Sequence, residues 1–220
     1  MSENSGISAA EAEALWTDLS GFTTQIGSAE GLNELSCTSF TRRYQDLKDK
    51  ADLRRFLESY FSEILLPIEL PAIMQTFYLA QRSAYRELIT LDQRLSEVDA
   101  LRGFAKASAR AGRFQLNRLR PLRDQRIVQR YLQAIETGDA HGWHTVVFGM
   151  ILSLYSMPLR QGLLHYARQT LRGLVHSSTC PVNLSPAEAE AFLAEMNPAL
   201  PRAIEAALHR HAASNLVLLT

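Results

Sequence analysis

Residues 144–154 read His-Thr-Val-Val-Phe-Gly-Met-Ile-Leu-Ser-Leu, and from Trp143 to Pro158 no side chain carries a fixed charge apart from a possible charge on His144. A segment that is apolar on nearly every side of a 3.6-residue period has no face for water. It predicts a helix at the centre of the fold, and the remaining elements are expected to be built around it.

Immediately upstream the composition inverts. Between Arg102 and Arg130 stand nine cations (Arg102, Lys106, Arg110, Arg113, Arg118, Arg120, Arg123, Arg126, Arg130) against a single acid, Asp124. On a helical period Leu101, Phe104, Ala105, Ser108, Ala111, Gly112, Gln115, Leu116 and Leu119 fall on one side. Arg102, Lys106, Arg110 and Arg113 fall roughly opposite. Ala105, Ser108 and Gly112 form a small-residue seam, where a neighbouring helix is expected to cross closely. The whole chain is nonetheless neutral, with 23 Lys and Arg against 23 Asp and Glu. A solvated basic face beside a buried helix reads as a scaffold that meets a partner.

The rest of the chain is helical in composition, with its helix breakers clustered. A short helix is predicted over Ala10–Leu19 and a loop over Ser20–Gly31. A helix opening at Asp49 or Lys50 is predicted to stop before Pro67. Further helices are predicted over 72–91, with a break at Leu95–Val98, then over 101–119, 124–135, 144–154 and 159–175. After the loop Thr179–Asn183, Ser185-Pro-Ala-Glu188 has the form of a capping box. Asn197-Pro198 interrupts, and a last helix is predicted over Pro201–His211. No stretch alternates with period two. The prediction is an all-α, single-domain bundle of eight to ten helices with no sheet. Residues 1–9 are expected to be disordered, 10–214 to form the domain and 215–220 an apolar tail.

Candidate chemistry is sparse. His141 and His144, near Asp139, are three apart and could touch one metal ion, yet Gly142 and a helix start favour capping and packing. His165 and His176 lie too far apart on one helix to share an ion. His209 and His211 do not share a helix face. No phosphate-binding loop or catalytic triad is present, and neither a cofactor nor an enzyme activity is predicted. Cys37 and Cys180 do not make a disulfide framework. With no signal peptide and no apolar run long enough for a membrane, a soluble cytoplasmic protein is expected. The arginines suit an acidic protein surface through bidentate pairing with carboxylates. Nucleic acid is the alternative, but interleaved aromatics and a helix-turn-helix pattern are missing.

Three segments carry a family resemblance: DALRGFAKASARAGRFQLNRL (99–119), HTVVFGMILSL (144–154) and LRQGLLHYARQTLRGLVHS (159–177). They resemble the UreF-type urease accessory proteins. The second is close to that family's Pro-Val-Val-Phe-Gly segment. QIGSAEGLNE (25–34) is weakly similar to the family's early glycine loop, with Gly27 and Gly31 in place but without its proline and Phe-Ser pair. The late Pro-Leu-Gly-Gln loop is replaced by Pro181-Val-Asn183-Leu.

The resemblance implies an all-α, non-catalytic protein that forms a homodimer. It implies a partner of the UreD or UreH type, a nickel-carrying GTPase of the UreG type, and apo-urease as the client that receives nickel and carbon dioxide. Partner contacts are expected at Arg102, Lys106, Arg110 and Arg113, and at Gly27, Gly31, Pro181 and Asn183. A helical adaptor or nucleic-acid-binding module unrelated to urease is the alternative.

Overall fold

The computed structural model describes residues 47–178 and 182–217. The expectations for Ala10–Leu19, Ser20–Gly31, Gly27, Gly31 and Pro181 lie outside the described residues. Among those described there are nine α-helices and no strand: α1 (Lys50–Tyr60), α2 (Leu70–Gln81), α3 (Tyr85–Glu97), α4 (Ala105–Leu119), α5 (Arg126–Thr137), α6 (His144–Leu154), α7 (Leu159–Ser177), α8 (Pro186–Met196) and α9 (Ala199–Val217). A π-helical stretch, Phe61–Glu69, joins α1 to α2, and one 3-10 turn, Asp99–Leu101, precedes α4.

α6 is the axis of the bundle. His144 through Leu152 are all buried. It packs most extensively against α2, next against α4, and also against α7. The close approach to α2 depends on Gly149: a β-carbon there would lie 2.6 Å from the Ile73 carbonyl oxygen and 2.8 Å from Thr76 Cβ. α7 turns Leu163, Leu164, Ala167, Leu171, Leu174 and Val175 inward, as its spacing predicts.

Caps follow the sequence. Asp49 accepts the Asp52 N–H at 2.8 Å to start α1. Ser185 and Glu188 close a reciprocal capping box at α8, with Pro186 in the first helical position. α5 ends on Gly138, whose φ of 85° suits a left-handed C-terminal residue.

Several boundaries differ from expectation, and the helix predicted over 101–119 begins only at Ala105, after the 3-10 turn. The helix opening at Lys50 does not stop at Pro67. It widens into the π-helical stretch, and the Leu70 N–H returns to the Leu65 carbonyl, five residues back. A wider turn relieves the clash between a proline ring and the preceding turn of an α-helix.

The single helix predicted over 72–91 is two. α2 ends at Gln81 and Ser83 adopts φ 54°, while the Ala84 N–H reaches back to the Leu79 carbonyl at 2.9 Å. No glycine or proline marks this break, so composition did not reveal it. The break placed at Leu95–Val98 begins only at Val98, since α3 runs through Glu97. The last helix starts at Ala199, takes Pro201 into its first turn and continues past His211 to Val217. Residues 215–217 are therefore helical rather than the start of a tail.

Candidate partner interface

α4 has two unlike faces. Ala107, Ser108, Ala111, Gly112, Gln115, Leu116 and Leu119 are buried; Lys106, Arg110 and Arg113 are exposed. Ala105 is only half-buried, and Ala107 joins the inner face in its place. The small-residue seam meets the start of α6, main chain to main chain. A β-carbon at Gly112 would lie 2.1 Å from the Gly142 carbonyl oxygen. The Ser108 hydroxyl accepts the His144 N–H at 3.0 Å.

The loop that leads into α6, residues 139–143, is held from three helices. The first N–H groups of a helix have no partner within it. α6 has no capping side chain of its own, and the group that serves comes from α3. The wholly buried Asp92 carboxylate accepts N–H groups of His141 (2.5 Å), Gly142 (3.0 Å) and Trp143 (3.0 Å), and the Tyr131 hydroxyl at 2.5 Å. A negative charge at the positive end of α6 is favourable. Gln93 donates to the Asp139 carbonyl at 2.8 Å, and the Trp143 indole N–H donates to Ser96 at 2.9 Å. Gly142 has φ 81°, which turns the chain into the helix.

Where this loop meets α4 there is an open groove of about 510 Å³, lined by Ala105, Lys106, Ala109, Arg110, Arg113 and His141. Two alanines and four basic or titratable side chains line it. Arg113 is anchored to the loop, its Nε donating to the His141 carbonyl at 3.3 Å. The structure thus brings together Lys106, Arg110 and Arg113, and adds His141.

Arg102 stands apart from this lining. It pairs with Asp99 at 2.5 Å in an exposed, solvent-screened contact. Farther along the stretch, Arg118 lies over the exposed Phe114 ring, 5.4 Å from its centre, and Arg120 pairs with Glu136 at 2.7 Å. Asn183 is exposed, with φ 53°, in the turn before α8, and does not line the groove.

The two histidines of the His-Gly-Trp-His run are separated by burial. His141 is exposed, whereas His144 is wholly buried and ring-stacked on Tyr166 at 5.8 Å. Burial drives its pKa down to about 3, so the imidazole is neutral. His165, near the Phe148 ring, is likewise pushed down to about 4. Among the described residues no group of three or more His, Cys, Asp or Glu is placed to hold a metal ion.

Two acids escaped the sequence reading. Asp92 is one. The other is Glu69, buried at the end of the π-helical stretch, where it accepts the Tyr60 hydroxyl at 2.7 Å and lies beside Tyr166. Burial pushes its pKa up to about 7. A signal existed for both: Asp92 shares the apolar side of α3 with Leu88, Leu91 and Leu95, and Glu69 follows Leu65 by one turn.

No described helix is long and apolar enough to cross a membrane. A protein-family model described as UreF matches residues 47–197, more than half of the chain. No curated protein matches the chain.

Proposed function

This chain belongs to the UreF family of urease accessory proteins, and from that premise we propose that it is a non-catalytic scaffold for maturation of a nickel urease. In this reading it forms a homodimer and binds a partner of the UreD or UreH type. Together they recruit or regulate a UreG-type GTPase, which brings nickel as cargo to apo-urease.

One observation supports a partner surface on α4: three cations and His141 line a groove whose walls are fixed to the centre of the bundle through Gly112, Ser108 and Asp92. Cations held on a firm support lose little freedom when they meet carboxylates. Charged rims also speed encounter and select against wrongly charged partners.

Co-purification with UreD/UreH-type and UreG-type proteins, read by mass, is the test. The proposal expects a complex that weakens when Arg110 and Arg113 are changed to Glu. Failure of the unaltered chain to retain any of these proteins would remove the urease reading. The dense cations between Arg102 and Arg130 favour nucleic acid as the second reading. A salt-sensitive gel shift on duplex or single-stranded nucleic acid would support it instead.

A further inference from the structure

We propose that the groove between α4 and the His141 loop takes an acidic α-helix of a partner protein, one that presents three carboxylates along a single face. The inference rests on the reading of α4 as a partner surface and adds what the partner must bring to it.

The charges have a defined geometry. On a 3.6-residue period Lys106, Arg110 and Arg113 fall within an arc of about 60° and span about 10.5 Å of helix axis. Ala105 and Ala109, both half-buried, fall on the side of that row nearest the buried seam of Ser108 and Gly112. A row of exposed cations therefore borders a strip without bulk, and the His141 loop stands beside it. Arg113 is tied to that loop through the His141 carbonyl. Among the described residues no acid lines the groove.

This pattern selects among occupants. Small side chains let a second helix approach to an axis separation of about 8 Å. Acids at i, i+4 and i+7 on such a helix repeat the intervals of the cations. An extended strand puts same-face residues about 6.8 Å apart, so three of them need about 13.6 Å and overshoot the row. A phosphate backbone answers the charges but brings no apolar group to the alanines and to the stems of Lys106, Arg110 and Arg113.

The chain already contains one pairing of this kind. Lys50 and Arg54, four apart on α1, meet Glu188 and Glu195, seven apart on α8, and Arg54 also lies over the Phe192 ring. Those two acids are engaged there. No stretch of the sequence carries acids at i, i+4 and i+7, so the match has to come from a different protein and not from a second copy.

Synthetic peptides test this against the full chain. The probes are of about 18 residues on an Ala/Gln background, long enough to hold a helix. The first carries Glu at i, i+4 and i+7. The second has the same composition with its Glu residues on three different faces, and the third is the first with a central proline. Binding is read by fluorescence anisotropy at low salt, where exposed charges are least screened. The first probe is expected to bind at least about fivefold more tightly than either of the others. It is expected to lose at least about tenfold in affinity for the Arg110→Glu/Arg113→Glu chain, with the melting transition of that chain retained. The same probe with Lys for Glu is expected to prefer the charge-reversed chain. Equal affinity among the three probes overturns the proposal, as does no measurable binding of the first. So does a single-stranded oligonucleotide of equal charge that binds the groove more tightly, which assigns it to a phosphate backbone. Loss of self-association by the charge-reversed chain in sedimentation assigns the groove to a second copy and overturns it too. If the first probe binds while UreD/UreH-type and UreG-type proteins fail to co-purify, the urease reading falls and the helix site stands. Co-purification without probe binding does the reverse.

Discussion

The Asp92 carboxylate accepts the main-chain N–H of Trp143 at 3.0 Å, across 51 positions of sequence. One buried charge on α3 thereby caps α6, the helix around which the others assemble. Replacing it with alanine would strand the N–H groups of His141, Gly142 and Trp143 together with the Tyr131 hydroxyl. Asp92→Ala is expected to lose about 3–5 kcal/mol in chemical denaturation. Tyr131→Phe, which removes a single donor, is expected to lose about 1 kcal/mol. Equal losses would mean that the carboxylate does not serve as the cap.

Gly112 and Gly149 mark two points where α6 and a neighbouring helix come too close for a side chain. Gly112→Ala collides with a main-chain oxygen, which cannot rotate away. Gly149→Leu collides with Ile73 and Thr76. Each change is expected to cost at least about 1–3 kcal/mol, with leucine at the upper end or beyond. Ser108→Ala, which orphans the His144 N–H, is expected to cost about 1–3 kcal/mol. Thermal melting followed by circular dichroism measures all three, and unchanged midpoints would contradict the packing described.

Arg110 and Arg113 are exposed, so Arg110→Glu/Arg113→Glu is expected to leave helicity intact. Retention of a UreD/UreH-type partner is expected to fall about tenfold or more, because like charge at an interface is costly. Loss of the complex with intact far-ultraviolet dichroism separates a surface effect from unfolding. An unchanged complex in a pull-down would place the partner elsewhere.

Glu69 should give stability a pH signature. Its folded pKa, about 7, lies above the ordinary value of 4.5 because burial disfavours the charge. Between those two pH values the folded chain keeps a proton that the unfolded chain has released, so this group's contribution is present below pH 4.5 and is lost as pH rises to about 7. Glu69→Gln has no such loss. Relative to the unaltered protein it is expected to gain roughly 3 kcal/mol between pH 4 and pH 8. His144 and His165, held neutral by burial, act in the opposite sense: the stability they contribute above pH 6.5 is lost as pH falls toward about 3 and about 4. They are common to both proteins and cancel in the difference. A constant difference across this range would show that Glu69 does not carry the proton.

Much of the fold was written in local pattern. The apolar run 144–154 announced the central helix, Ser185 and Glu188 announced a cap, and Ser108 and Gly112 announced a close crossing. What stayed hidden depends on partners distant in sequence. Asp92 reads locally as one acid on an amphipathic helix; only the fold brings it beneath residues 141–143. Ser83 carries no breaker signature, and its turn is closed by a bond between Ala84 and Leu79. Pro67 sent the prediction astray because a proline is usually read as a stop, whereas here the helix loosens its winding and continues. Of the groove, periodicity revealed the exposed basic face of α4. It could not reveal that the His141 loop stands beside it.

The main-chain contact between Gly112 and Gly142 also determines how the outer surface can respond to strain. With no side chain between them there is no compressible layer, so α4 cannot slide or tilt over the start of α6. The width of the cleft above is therefore inherited from the interior and is not free to adapt. Whatever settles there finds a mould already cast, and must itself do the bending.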